Sequence, residues 1–461
     1  MKALARRIGL IVLGLILLVA IIGSAFFVEM QRHFHPPAPA LHYPQAVNAL
    51  AAQRQDLDYF RQLIALDRSF AATGRAEANR RLDTLEALGT VLDKAHFRVA
   101  LMQIDALADN GHSRVENDDR APPMELPVRV VAFSDGLYIV RTTEANAALL
   151  GGRVSAIDGQ PIEAVMVKLQ QLRGGTTQWR RLMAAQYLTL QDMLFGVDVA
   201  PDMQHSNWTV ETPSGTSISR RLTASAPPAN EPVTGMAEPW QTFEPARALP
   251  PAWRDFDTAF RSLTVPGSCT QLVQLKSNAD QGGQRIKEFL AGTVRQMRQA
   301  RPCNVIFDLR YDGGGDYVNT YGFARQLPQL VAADGKIFVL IGPATFSAGI
   351  STAAFVKHAG QGHVVILGEA VGDRLQFYSE GGWACLPHYP LCVAYETGKH
   401  DYQHACTQWE VCFWLNYFIQ YQVASLDPDE VIPLSFEKWR AGVDPVVDRA
   451  LSLARDNGVS P

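Results

Sequence analysis

Ser347 lies in GPATFSAGIS, Gly342–Ser351, where the apolar run KIFVLI stops at a turn and an amphipathic segment begins at Ser351. Strand, sharp turn and helix in that order put a hydroxyl at a helix N-terminus, where unpaired N–H groups and the helix dipole favour negative charge. That is the setting of a serine nucleophile, and equally of a plain N-cap. Upstream, NVIFDLRYDGGGD, Asn304–Asp316, reads as a buried strand ending in an acid, a base and three consecutive glycines. Such glycines allow positive φ and close backbone approach, so the loop can aim N–H groups at an oxyanion. A phosphate cradle is disfavoured, because no Gly-Lys-Ser/Thr follows.

Downstream come HVVILGEAVGD from His363 and SLDPDEVIPLSFEKWRAGVDPVVDRAL from Ser425. In this order and spacing the four segments resemble the C-terminal processing, or tail-specific, serine peptidases, over most of the chain from Cys269 onward. The Ser-Lys style of that family places its lysine just after the Gly-Glu pair, where this chain has Ala370, and Lys357 and Lys399 fall elsewhere. The chain therefore resembles the tricorn-like and interphotoreceptor retinoid-binding-like branch, whose histidine segment matches IDALADNGHSRV, Ile104–Val115. The resemblance implies a crotonase/Clp-like α/β catalytic domain, Ser347 as nucleophile and His112 as base. It also implies an oxyanion site from the N–H groups of Ala348 and Gly314, with Gly313 as the alternative second donor. The orienting acid stays unassigned: the matching position reads Gln422, and Glu396, Asp401 and Glu410 are nearby. No cofactor is implied. The expected substrate is an unfolded or extended polypeptide, and the alternative is a non-proteolytic relative that binds peptide or an apolar ligand.

Lys2, Arg6 and Arg7 precede Ile8–Val28, an uncharged run of 21 residues, long enough to cross a bilayer as a helix. The basic flank predicts the amino end inside and the body outside, which is a single pass through an inner (cytoplasmic) membrane with the body in the periplasm or extracytoplasmic space. A cleaved signal peptide ending near Gly23-Ser24-Ala25 is the rival. Of six cysteines, Cys385, Cys392, Cys406 and Cys412 crowd one region and read as disulfide partners in an exported protein, with Cys269 and Cys303 a third pair or buried thiols. His400, His404 and Cys406 lack the glutamate of HExxH and read as a stapled loop, so no metal is expected. A net charge of −4 with no long basic run argues against nucleic acid.

With 461 residues and 47% hydrophobic content the chain needs more than one domain. Breakers and periodicity divide it into a membrane anchor with basic flank (1–35), a stiff Pro-rich stalk (36–44), a helical cap (45–120), a β-domain (121–226), a Pro-rich linker (227–252) and an α/β domain (253–461), the last catalytic by the family resemblance. The stretch ALLGGRVSAIDGQPIEAV, Ala148–Val165, resembles a PDZ-like module, which implies a PDZ-like β-domain. The β-domain carries VRVVAF and GLYIVRTT as strands, and its free edge suits strand addition by a peptide.

Overall fold

The computed structural model describes residues 2–118, 123–226, 240–245, 249–254 and 258–456, so most of the expected linker lies outside the described residues. Helix α1 (Lys2–Phe34) has one stretch, Arg7–Phe34, long and apolar enough to cross a membrane. Its large apolar side chains from Ile8 to Val28 are exposed, but Met30 and Phe34 are buried against the body. Residues 36–44 lie on the body as well. Tyr395 Oη donates to Pro36 O at 2.7 Å, Tyr59 Oη to Pro39 O at 3.0 Å and Gln55 Nε2 to Pro44 O at 3.1 Å. The prolines make this segment extended, and the hydrogen bonds make it a strap.

The cap is α2 (Ala49–Leu66), α3 (Ala72–Ala87) and α4 (Lys94–Asp105), with α2 and α4 capped by the side chains of Asn48 and Asp93. After it comes β1 (Arg114–Asn117). A largely antiparallel sheet follows, from β2 (Val128–Phe133), β3 (Gly136–Thr143), β4 (Arg153–Ile157) and the short β5 (Gln160–Pro161). Next are α5 (Ile162–Gln170), α6 (Thr177–Tyr187), α7 (Gln191–Gly196), then β6 (His205–Glu211), β7 (Ser217–Thr223) and β8 (Trp240–Thr242). The strand path is β2-β3-β4-β6-β7, which leaves β2 at an edge beside α6. Phe60, Phe97, Ile139, Trp208 and Val393 share one hydrophobic cluster, so cap and β-domain are built on a common core.

The second core surrounds a six-stranded sheet of order β18-β13-β12-β11-β10-β9. In chain order these elements are β9 (Phe260–Thr264), β10 (Thr270–Leu275), α8 (Ile286–Ala300), β11 (Asn304–Asp308), α9 (Val318–Gln326), β12 (Ile337–Ile341), α10 (Ala348–Gly360) and β13 (Val364–Gly368). Strands β10 to β13 run parallel, and β10, β11 and β12 are buried throughout, as strands covered on both faces must be. Alternate residues choose the face. Val273, Phe307 and Val339 pack with α8, α9 and α10, while Leu272, Ile306 and Phe338 meet Val446, Ala450 and Ala454. The remaining elements are β14 (Gln376–Ser379), β15 (Gly382–Cys385), β16 (Leu391–Tyr395), β17 (Gly398–Asp401), α11 (Trp414–Phe418), β18 (Glu430–Val431), α12 (Phe436–Arg440) and α13 (Pro445–Asp456). Strand β16 pairs with β1, joining body to cap. Disulfides link Cys269–Cys303, Cys385–Cys392 and Cys406–Cys412, so the crowded four pair locally and the other two staple the entries to β10 and β11.

Candidate active site

Ser347 follows the end of β12 and precedes the first turn of α10, and its backbone is at φ 52°, ψ −122°. A non-glycine residue held there stores of order 1–3 kcal/mol of strain, which persists only when neighbours fix it. Thr345 and Asp312 fix it. Buried Thr345 donates through Oγ1 to Leu309 O at 2.8 Å and accepts from Gly342 N at 3.0 Å, while Phe346 N donates to Asp312 O at 2.9 Å. The turn is thereby sewn to the loop that leaves β11.

That loop touches the serine. Gly314 has φ 107°, and a Cβ there would sit 2.7 Å from Ser347 Cβ and 3.1 Å from Ala348 N, so only glycine fits. Gly313 has open space at the same point. The N–H of Gly314 donates to Asp312 Oδ1 at 3.1 Å and so is not idle. Burial pushes the Asp312 carboxyl up to about 7, the Gly314 hydrogen bond pulling the other way.

His112 is 9% exposed, and neither ring nitrogen has a hydrogen-bond partner. Its loop is clamped: Gly111 N donates to Asp373 Oδ2 at 3.1 Å, Arg173 donates to Gly111 O at 3.2 Å, and Tyr378 N donates to Asn110 Oδ1 at 3.0 Å. A Cβ at Gly111 would meet Asp373 at 2.6 Å and the Phe346 ring at 2.8 Å, which explains the glycine before the histidine. The imidazole lies between Phe346 and Phe377, with ring centroids 4.5 and 5.1 Å away. The stack continues on both sides. Trp179 of α6 lies flat on Phe346 at 3.9 Å, and Phe377 stacks on His400 at 5.0 Å. Burial first, then the charges of His400, Arg114 and Arg173, hold His112 well below its usual value and therefore neutral. No hydrogen bond joins it to Ser347; the two meet through Phe346, the serine's chain neighbour.

Glu396 lines a cavity with His112, one of about 430 Å³ that Glu380 also borders. Gln422 is instead beside His358 in the last turn of α10, roughly 16 Å along that helix from Ser347. Asp401 caps Gln403 and His404, and the Glu410 side chain is exposed. Burial drives Glu396 well above the ordinary carboxylate value, with Asp67 adding to it. Glu380 differs: burial acts against its charge, but His400, whose Nε2 is 3.3 Å away, holds it below the usual range. Glu380 has no sequence motif; β14 and β17 bring it in.

The other motifs prove architectural. Arg310 forks between Asp308 and Asp444, with Nη2 2.8 Å from an oxygen of each, all three buried. The Asp-Leu-Arg and Asp-Pro segments thus hold each other, tying β11 to α13. Glu369 of the Gly-Glu pair lines a second, mainly apolar cavity of about 410 Å³ between the β2–α6 edge and the ends of β12 and β13, reaching Ala344.

Among solved structures, the chain is similar to mature CPAF, with TM-score 0.60 at 14% identity, covering 90% of this chain and 99% of that one. Mature CPAF complexed with lactacystin gives TM-score 0.59 at 13% identity, over 89% of this chain and 99% of that one. The photosystem II D1 C-terminal processing protease matches at TM-score 0.39 and 12% identity, over 84% and 94%, a likeness too low to weigh. No family model and no curated protein sequence matches. The CPAF neighbours support the C-terminal processing resemblance at the level of the fold.

Proposed function

We propose that the chain is a serine-type endopeptidase acting on unfolded or extended polypeptides. The observation that carries this reading is the strained Ser347 elbow pressed against Gly314, in the same aromatic layer as a buried histidine with no partner. Buried polar groups are nearly always paired, so an orphaned imidazole beside a serine turn calls for a function. Ser347 Oγ attacks the scissile carbonyl carbon, His112 takes the hydroxyl proton, and the tetrahedral oxyanion is met by Ala348 N–H and by Gly314 N–H turned from Asp312. His112 then passes the proton to the leaving amine, and water releases the acyl group by the same route. Glu380, the ionised carboxylate of the His112 cavity, steadies the imidazolium. The substrate backbone adds to the open edge of β2 and its side chains occupy the apolar cavity that ends at Ala344. The body is anchored by α1 and faces an oxidising, extracytoplasmic compartment, a placement supported by the basic flank of α1 and by three disulfides.

A second reading, a binder without turnover, is favoured by the missing hydrogen bond between His112 and Ser347 and by the apolar cavity of about 410 Å³. A fluorophosphonate probe separates the two. Labelling at Ser347 with hydrolysis of unfolded casein, both lost in Ser347→Ala, is expected; tight peptide binding with neither labelling nor turnover establishes the binder.

A further inference from the structure

We propose that the segment from Cys406 through α11 sits in the outer lipid–water interface beside α1, a second membrane contact that rests on the reading of α1 as a membrane span. The segment follows the helix outward from the body. Phe34 meets Phe413 edge-on at 5.5 Å, His33 Nε2 lies 2.7 Å from Glu410 O, and Phe26 faces Trp409 at 6.2 Å. Phe34 and Phe26 are about 12 Å apart along the helix, so the segment reaches that far up it. The uncharged run Ile8–Val28 spans about 31 Å, which matches a hydrocarbon thickness of about 30 Å. Seated that way, Val28 marks the boundary and Phe26 lies about 3 Å inside it. Trp409, beside Phe26, is then at the boundary between acyl chains and headgroups.

The residues suit that depth. Thr407–Tyr421 contains six aromatic residues and a single charge, Glu410. Phe418 is 59% exposed and Trp409 40%, a pair that water would penalise and a bilayer boundary would bury. Tyr417 lies 5.2 Å from Trp409 and 5.4 Å from Phe418, completing an aromatic patch of the kind enriched at membrane interfaces. The patch is held rigidly by the Cys406–Cys412 disulfide and by Phe413 N donating to Lys399 O at 2.9 Å. Since His35, next after α1, borders the His112 cavity, two contacts with one bilayer also fix the height of that cavity above the lipid.

The test reconstitutes the full chain in phosphatidylcholine–phosphatidylglycerol vesicles carrying bromine at acyl carbons near the headgroup or deep in the bilayer, and reads tryptophan fluorescence. Helix α1 contains no tryptophan, so quenching reports the body. Shallow bromines should quench more than deep ones, and Trp409→Phe should remove at least a third of the quenched signal. A chain washed off by alkaline carbonate overturns the span itself. A chain that stays after the wash but shows equal fluorescence in brominated and plain vesicles keeps the span and overturns the aromatic contact, as does quenching unchanged in Trp409→Phe.

Discussion

Replacing Gly314 by alanine should disable the site while leaving the fold standing. The new methyl would start 2.7 Å from Ser347 Cβ, and ordinary contact begins near 3.4 Å, so the elbow must retreat by at least about 0.7 Å. Displacements of about 1 Å in a reacting group cost of order 100-fold in rate. The φ of 107° adds about 1–2 kcal/mol for any side chain, a few degrees in Tm. The expected result is a fall in kcat of about 100-fold with KM nearly unchanged, measured on an unfolded protein substrate beside a thermal melt. Gly313→Ala is the control, because nothing lies within 4 Å of a Cβ there and its φ is not positive. Equal activity in the two variants would refute the placement of the glycine loop against the serine.

His112→Phe should abolish fluorophosphonate labelling yet raise Tm, since it replaces an unpaired buried ring by an apolar one within an aromatic stack; a fall of many degrees would show that the imidazole has polar partners. Burial raises Asp312 from 3.8 to about 7, so the folded state holds its proton longer than the unfolded chain, and this group's contribution to stability is lost as pH climbs from about 4 to about 7. Urea midpoints at the two ends of that window should differ less in Asp312→Asn than in the native chain, and an unchanged difference would discard the buried, raised carboxyl. Cys269–Cys303 closes a separation of 34 residues, so replacing both by alanine should cost about 4 kcal/mol, and non-reducing peptide mapping should return all three expected links; a loss under about 1 kcal/mol would contradict the chain-entropy argument.

Local structure was legible in the sequence, and long-range register was not. The turn at Ser347, the glycine loop and the strands at 128–133 and 136–143 follow from apolar runs ending at small or turn-forming residues. The cap helices follow from apolar spacing within the segment 45–120, where α2 to α4 run from Ala49 to Asp105. Glu380 could not be seen, because β14 lies against β17 through Phe377↔His400 and nothing within either segment encodes that pairing. The acid stayed unassigned for the same reason: the position that the resemblance matched, Gln422, lies beside His358 at the far end of α10, and nothing local in the sequence says which end it meets. The proline-rich 36–44 segment reads as a stiff stalk because the hydroxyls that bind it to the body belong to Tyr59 and Tyr395, outside the segment.

The ring stack from Trp179 to His400 works as a mechanical link. Phe346 is one peptide bond from Ser347 and lies flat on Trp179, so α6, beside the open edge of β2, rests directly on the serine turn. Flat rings in contact resist compression but slide past each other at small cost. A strand seated at β2 that shifted α6 sideways would drag Phe346 across the imidazole, whereas pushing α6 inward would meet a solid column. Occupancy of the edge would then reach the serine as shear.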